Sequence, residues 1–415
     1  MDSGVNFSFP ATRKGALKRL HGFLTDPRSK ALRYASRRNF VYPGDPTVSR
    51  LSPAFRTGLV TSLEACKLAE EHHDPEKIEK FEQEIFWRLY WKGWLEKRPS
   101  IWRQYQQELL ETQSYASARA QDVMNGESGV AIMDHFAQEL VRTGYLHNHA
   151  RMWWAAFWVH VEKLPWQLGA DFFLRHLLDG DPASNTLSWR WVAGLHTRGK
   201  SYLVRRSNLE KYVDAHRIEH FAAGLERLDP PQQVNLPFVE PPPPKPLVDT
   251  DSLPEQGRCG IWLHDEALAL ENSPLSECTP HAVAATADTC SWDESGFSKQ
   301  KQNYFKDALH DGLSRAQRQF DAPSSFLEGN PLPEALASWA RSVSLDHMIA
   351  IRPAVGPLLD QISLIRSGLR KDGISLILVR DSAELSILDK ANAGFFGFWK
   401  KAQKIWEKGR NLDRV

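Results

Sequence analysis

Between Lys77 and Lys97 the chain reads KIEKFEQEIFWRLYWKGWLEK, and two stripes run along it. Ile78, Phe81, Ile85 and Leu89 recur at spacings of three and four, the pattern of a helix face that packs into a core. Glu84, Trp87, Arg88 and Trp91 stand at i, i+3, i+4 and i+7, so they share a second face. A carboxylate, a guanidinium and two indoles on one stripe suit a planar aromatic ligand that also offers hydrogen-bonding edges. A surface Glu–Arg pair between half-buried tryptophans fits the same spacing, and this helix alone does not choose between them.

Two later segments carry similar material. In RTGYLHNHARMWWAAFWVHVEKLPW (Arg142–Trp166), Gly144 marks a break before a helix. Asn148, Arg151, Met152 and Ala155 then share a face, and small Ala155 and Ala156 permit close approach. His147 and His149 are two apart and cannot share that face; a metal site would need further ligands, and none is expected. In LLDGDPASNTLSWRWVAG (Leu177–Gly194), Asp179, Gly180 and Asp181 form a tight acidic turn. Pro182 suits a first helical turn, with Asn185 and Trp189 at i and i+4 behind it. An Asp-x-Asp turn can hold Mg²⁺ against a phosphate, but no phosphate-binding glycine loop accompanies it.

The elements that must position these residues fall into two kinds. Asp229–Pro246, DPPQQVNLPFVEPPPPKP, contains eight prolines and reads as extended chain. Before it, strand signals are scarce and helical periodicity is strong. After it, the apolar runs Gly260–Leu263, Ala282–Ala287, Met348–Ile351 and Ser375–Val379 alternate with helical patterns at Gln302–Phe320, Leu332–Arg341 and Val355–Leu369. That alternation predicts a parallel α/β sheet of Rossmann type. The expected division is 1–229 helical, 230–256 linker and 257–415 α/β.

Composition bounds the rest. The 415 residues hold 52 Lys+Arg and 51 Asp+Glu, for a formal charge of +1. Residues 1–230 carry +5 and residues 231–415 carry −4, so a modest basic face sits inside a neutral total. The longest apolar stretch, Met152–Val161, is shorter than the roughly 20 residues a membrane span needs. The first twenty residues show no apolar core or cleavage site, so no signal peptide is expected. Four cysteines without a CxxC point to a reducing, cytoplasmic setting. Of 15 tryptophans, ten lie between Trp87 and Trp191.

RYASRRNF (Arg33–Phe40), SRLSPAFRTG (Ser49–Gly58), EIFWRLYW (Glu84–Trp91), TGYLHNHARM (Thr143–Met152) and LLDGDPASN with WRW (Leu177–Asn185, Trp189–Trp191) together resemble the FAD-binding domain of the DNA photolyase/cryptochrome family. They occur in the family's order over residues 13–215. The resemblance implies an all-helical photolyase-type FAD-binding domain, followed here by a smaller Rossmann-like α/β domain. GIWLHDEALALEN (Gly260–Asn272) and GFFGFWKKAQKIW (Gly394–Trp406) are faintly similar to the family's antenna domain, which usually comes first, so a circularly permuted order is expected. No antenna-binding residue carries across, and the antenna chromophore stays open.

For the cofactor, the resemblance implies that Tyr34, Ser49, Leu51 and Ser52 meet FAD phosphates and that Arg88 is a further contact. Val48 stands where the family has Thr. Arg151 and Asp179 match an ion pair over the flavin ring, Asp181 the acceptor for its N3–H, and Asn185 the residue facing N5. Asn148 matches a residue that touches both cofactor and substrate. Glu84, Trp87, Asn148, Met152 and Trp191 match positions that meet a cyclobutane pyrimidine dimer in UV-damaged DNA. Trp189 and Trp166 match the inner members of a tryptophan electron path, whose outer member has no clear counterpart. His149 stands where many repair enzymes have an arginine, and the chain after Gly194 departs from the family. The activity implied is light-driven repair by a monomeric flavoprotein. A cryptochrome-like photoreceptor without repair, and a flavin-free structural relative, are the alternatives.

Overall fold

A computed structural model of the chain describes residues 8–42, 47–113 and 117–412. The described residues gather into two packing units, each drawn from separate stretches. One lies within Met1–Ser8, Thr25–Ser49 and Arg98–Pro243; the other within Phe9–Leu24, Arg50–Lys97 and Pro244–Val415. Among the described residues, every strand follows the proline-rich stretch and the regular elements before it are helical. The packing units nevertheless cross that stretch: the helix Pro75–Glu96 belongs with the sheet.

The first unit is helical. Its centre is formed by Ala131–Thr143, Asn148–Ala156, Trp166–His176 and Pro182–Val192, whose buried faces carry Phe136, Trp153, Trp154, Phe172 and Trp189. The Asn148 helix does not end in an α turn. It runs into a π-helical turn, Phe157–Val161, all of it buried. A π turn carries one residue more than an α turn and often marks a functional region. Here it aims His160 at two backbone partners: Nε2 donates to the Val192 carbonyl (3.1 Å) and Nδ1 accepts from the Val234 amide (3.2 Å).

The second unit holds a five-stranded parallel sheet of order β3-β2-β1-β4-β5. The strands are β1 (Cys259–Leu263), β2 (Ala282–Ala287), β3 (Ser324–Glu328), β4 (His347–Ile351) and β5 (Ser375–Val379). Gly260 pairs with Ala282 and with Met348, so β1 is central. Every residue of β2 is buried, as expected of a parallel strand covered on both faces. Helices Lys299–Phe320, Leu332–Ser342 and Pro357–Arg370 make the crossovers. Trp262, Leu336, Met348, Ile365 and Leu378 share one core.

Four of the five strands lie where the apolar runs place them. β3 is the one missed by sequence. It is an edge strand of sequence SSFLE, half-buried to exposed, and an edge strand has no need of an apolar run.

Candidate functional site

In the first unit a glycine-dependent turn brings the acidic and basic segments together. Gly144 ends the Ala131–Thr143 helix at φ 66°, where a side chain is strained, and a Cβ there would stand 2.6 Å from Leu178. The Leu178 amide donates to the Gly144 carbonyl at 2.8 Å. This bond sets the Leu177–Asp181 turn beside the start of the Asn148 helix. Arg151 Nη2 then reaches Asp179 Oδ2 at 2.9 Å. Arg151 Nε donates to the Leu146 carbonyl (2.7 Å), and the guanidinium lies over the Tyr145 ring at 5.4 Å. The Arg151–Asp179 ion pair that the resemblance implies is present, with Asp179 buried and Arg151 half-buried.

That pair is only half satisfied. Asp179 Oδ1 is buried and has no hydrogen-bond partner. A buried carboxylate oxygen left unpaired costs about 1–3 kcal/mol, so it marks a place where a donor fits. Asp181 is the N-cap of Pro182–Val192: Oδ1 accepts from the Ser184 amide at 2.8 Å. Asn185 is buried, and its Nδ2 donates to the Ala170 carbonyl at 2.8 Å. Since a carbonyl accepts only from the amide nitrogen, the other end of Asn185 is its acceptor, Oδ1.

The remaining expectations in this unit divide. Tyr34 and Ser49 are half-buried. Thr47, next to Val48, donates its hydroxyl to the Arg37 carbonyl (2.9 Å), so its proton is already used. Met152 and Trp191 are half-buried, Trp191 beside Tyr202 at 5.6 Å, and Asn148 is exposed at the helix start. His149 contacts the Asn39 carbonyl (2.9 Å) and the Tyr202 hydroxyl (3.2 Å) and stacks on Trp153 at 4.1 Å. Burial holds its pKa below the usual value, as befits a packed neutral ring. Among the described residues, no three His, Cys, Asp or Glu groups are placed to hold a metal ion.

Trp189 and Trp166 are both buried, but they keep different company. Trp189 meets Trp154 edge-on at 6.2 Å and Phe173 at 5.2 Å. Trp154 stacks on Trp158 at 5.2 Å. Trp166 meets Tyr105 at 5.4 Å, and Tyr105 meets Trp102 at 5.4 Å.

In the second unit Leu51 is buried at the start of the five-residue helix Ser52–Arg56, which begins with Ser52. On Pro75–Glu96, Ile78, Phe81, Ile85 and Leu89 are buried, as the first stripe requires. The second stripe splits. Trp87 is stacked face to face on Phe395 at 3.8 Å and 6°, with Trp91 tilted beside it at 5.1 Å. Phe395 opens the helix Phe395–Leu412, and the Tyr90 hydroxyl donates to the nearby Ala393 carbonyl (2.8 Å). A Cβ on Gly93 would stand 2.5 Å from the Leu388 carbonyl oxygen, so this helix crossing needs glycine. Glu84 is half-buried.

Arg88, also half-buried, lines a cavity of about 680 Å³ together with Lys92 and Glu96. The cavity opens at the carboxyl ends of β1, β4 and β5, where His264, Arg352, Arg380 and Asp381 follow the strands. Strand order reverses between β1 and β4, the usual place for a ligand crevice in such sheets. Arg380 clamps Glu96 through two bonds, 2.6 and 2.9 Å. Arg352 Nε is buried without a partner, and burial pushes the Glu384 carboxyl above its usual pKa. Sequence reasoning missed this cavity. Its signal was a polar residue directly after β1, β4 and β5, in WLHDE, AIRP and LVRD.

Residues 81–232 match the family model described as the FAD binding domain of DNA photolyase. The chain is 29% identical over 204 residues to the deoxyribodipyrimidine photo-lyase of Neurospora crassa, covering 47% of this chain and 32% of that protein. It is 35% identical over 207 residues to the enzyme of that name from Thermus thermophilus, covering 48% and 47%. A solved bacterial class III photolyase from Agrobacterium tumefaciens is 26% identical, with a TM-score of 0.42 over 51% of this chain and 44% of that one. The chain thus spans between about a third and a half of the length of these relatives.

Proposed function

We propose, from the match of residues 81–232 to the FAD binding domain of DNA photolyase and from the similarity to deoxyribodipyrimidine photo-lyases, that the chain is a light-driven DNA-repair flavoprotein that splits cyclobutane pyrimidine dimers. One observation carries the reading: Asp179 and Asp181 on the Leu177–Asp181 turn meet Arg151 and Asn185 near the starts of two helices, with a buried carboxylate oxygen unsatisfied. The residues fit the cofactor. Asp179 Oδ1 lacks a donor, and Asn185 presents an acceptor because Ala170 holds its amide nitrogen. A flavin edge offers both N–H groups and carbonyls. When bound, FAD would supply light absorption and one-electron transfer.

The protein's own part is placement and electrostatics. In the first unit Tyr34, Ser49, Asn148, Arg151, Asp179, Asp181 and Asn185 would hold the cofactor. Asn148, Met152 and Trp191 would meet the dimer, which must leave the base stack to be reached. In the second unit Leu51, Ser52 and Arg88 would be cofactor contacts, and Glu84 and Trp87 dimer contacts. Glu84, as a neutral carboxyl, would donate to a dimer carbonyl and steady the charge that develops there. A face of positive charge in residues 1–230 would meet DNA phosphates. The chain would act as a cytoplasmic monomer, with a helical domain at 1–229, a linker at 230–256 and a permuted antenna-like domain at 257–415. A second chromophore, if carried, is to be sought in the strand-end cavity by extracting the purified protein.

The test is to illuminate the photoreduced protein with an oligonucleotide containing one thymine dimer and to follow the return of thymine absorbance. Unchanged dimers would overturn the repair reading. They would favour a cryptochrome-like photoreceptor, the second reading, which is supported by the Phe395 ring already covering a face of Trp87. A preparation without bound flavin would sink both.

A further inference from the structure

The geometry points to Trp154 and Trp158, rather than Trp166, as the residues that pass electrons to Trp189 when light reduces the flavin. This rests on the reading that residues 81–232 bind FAD. It differs from the pairing of Trp189 with Trp166 that the resemblance implies.

Trp189 lies one helical turn after Asn185, on the same face of Pro182–Val192. It is therefore the tryptophan that Asn185 would share with the flavin. Among the described residues, the tryptophan in ring contact with Trp189 is Trp154, at 6.2 Å, and Trp154 stacks on Trp158 at 5.2 Å and 27°. Packing shows that the cluster is built rather than incidental. A Cβ on Gly169 would stand 2.3 Å from the Trp189 ring and 3.1 Å from Trp158 Nε1, so both indoles use the space that glycine leaves. Short steps between rings favour electron hopping, because tunnelling falls steeply with distance.

The electrostatics run the same way. Trp158 Nε1 donates to the Pro165 carbonyl at 2.8 Å, and that bond strengthens as the indole becomes a cation. Trp154 Nε1 is buried with no partner. A positive charge therefore settles on Trp158, away from the flavin. The alternative branch is less suited. The Arg190 guanidinium stands over Trp166 at 6.0 Å, and a cation beside a ring opposes its oxidation. Beyond Trp166 comes Tyr105, whose buried hydroxyl has no hydrogen-bond partner to take its proton. Burial also raises the Tyr105 pKa well above the usual value.

The step balances as follows. Trp189 gives one electron to the photoexcited flavin and becomes a radical cation. Trp154 refills Trp189, and Trp158 refills Trp154. An external thiol gives one electron to Trp158 across Pro165, which is exposed, and is itself oxidised towards its disulfide. Two photons, two thiol electrons and one proton from water bring the flavin to its fully reduced state.

The test compares the holoprotein with Trp154→Phe, Trp158→Phe and Trp166→Phe under blue light with dithiothreitol. Flavin photoreduction is expected to slow by roughly tenfold or more in the first two and to stay unchanged in the third. Repair by dithionite-reduced protein should be equal in all, which separates electron supply from a merely structural role. A slowed Trp166→Phe beside an unimpaired Trp154→Phe would overturn the route. The apoprotein gives a second readout without flavin. Its far-ultraviolet circular dichroism should contain an indole exciton contribution that Trp154→Phe and Trp158→Phe diminish and Trp166→Phe leaves intact; a contribution that depends on Trp166 instead would also overturn it. A flavin-free preparation would sink the function proposed above, while the exciton contribution would still decide the pairing.

Discussion

The two units treat their aromatic and charged residues in opposite ways. In the first, the polar groups are turned to one another but left incomplete: Asp179 has one oxygen on Arg151 and one on nothing. In the second, the stripe that resembles a ligand face is closed by the chain itself. Phe395 lies flat on Trp87, and Gly93 lets the Leu388 backbone come close. The contrast teaches that motifs in the right order need not share one fate. A residue's type sets what it can contact, and its packing partners decide whether the place is already taken.

Replacing Arg151 by Ala attacks the open side of this comparison and should have the largest effect. Asp179 would be left buried and unpaired, at a cost of about 3 kcal/mol or more. Flavin content measured by absorbance should collapse, and the urea midpoint should fall. Retained flavin would break the comparison, since the first unit would then not be the incomplete one. Phe395→Ala attacks the closed side. Phe395 is 4% exposed, so truncation should cost about 3–5 kcal/mol by denaturation, while flavin content stays unchanged. Trp87 fluorescence should become accessible to quenching by iodide, and affinity for dimer-containing DNA should rise if that ring face is what DNA lacks.

Acid should then separate the units further. Burial, with Arg190 and Arg98 adding, pushes the His196 pKa down to about 4 from 6.5. Between those values the unfolded chain binds a proton that the folded chain refuses. Stability is thus present above pH 6.5 and lost as pH falls towards 4, by at most about 3 kcal/mol. His149 and His160, both lowered by burial in the same unit, act with the same sign. Urea midpoints measured down that range should fall, and His196→Gln should flatten the slope; a flat profile in the unchanged protein would refute the assignment. The smallest effect belongs to the second unit. Thr61 and Glu64 form a capping box at the helix Ser62–His72, so Thr61→Ala should cost about 1 kcal/mol without touching flavin content.

What sequence could reveal depended on whether a signal was local. The strands Ala282–Ala287 and His347–Ile351 were legible because central parallel strands need continuous apolar runs. Ser324–Glu328 was not, because an edge strand is held by its neighbour's backbone and leaves little trace in side chains. The Arg151–Asp179 pair was legible through the family phrases, since each phrase is a turn or helix start with its own local rules. The Phe395–Trp87 stack was not, because nothing near either residue announces a partner so distant in sequence. Trp154 was hidden for another reason. In WWAAFW every position is buried, so periodicity cannot say which indole faces Trp189.

The π turn at Phe157–Val161 has a consequence for how this chain tolerates insertion and deletion. In an α-helix each residue advances the direction of its side chain by about 100°. A π turn absorbs one extra residue, so all that follows is out of phase with what precedes. Trp154 keeps the phase of the Asn148 helix; His160 has the shifted one, and with it the Val192 carbonyl and the Val234 amide. Removing one residue from this turn would therefore rotate the chain more than shorten it. Trp154 would stay on its side, while the histidine would swing off both backbone groups it now joins.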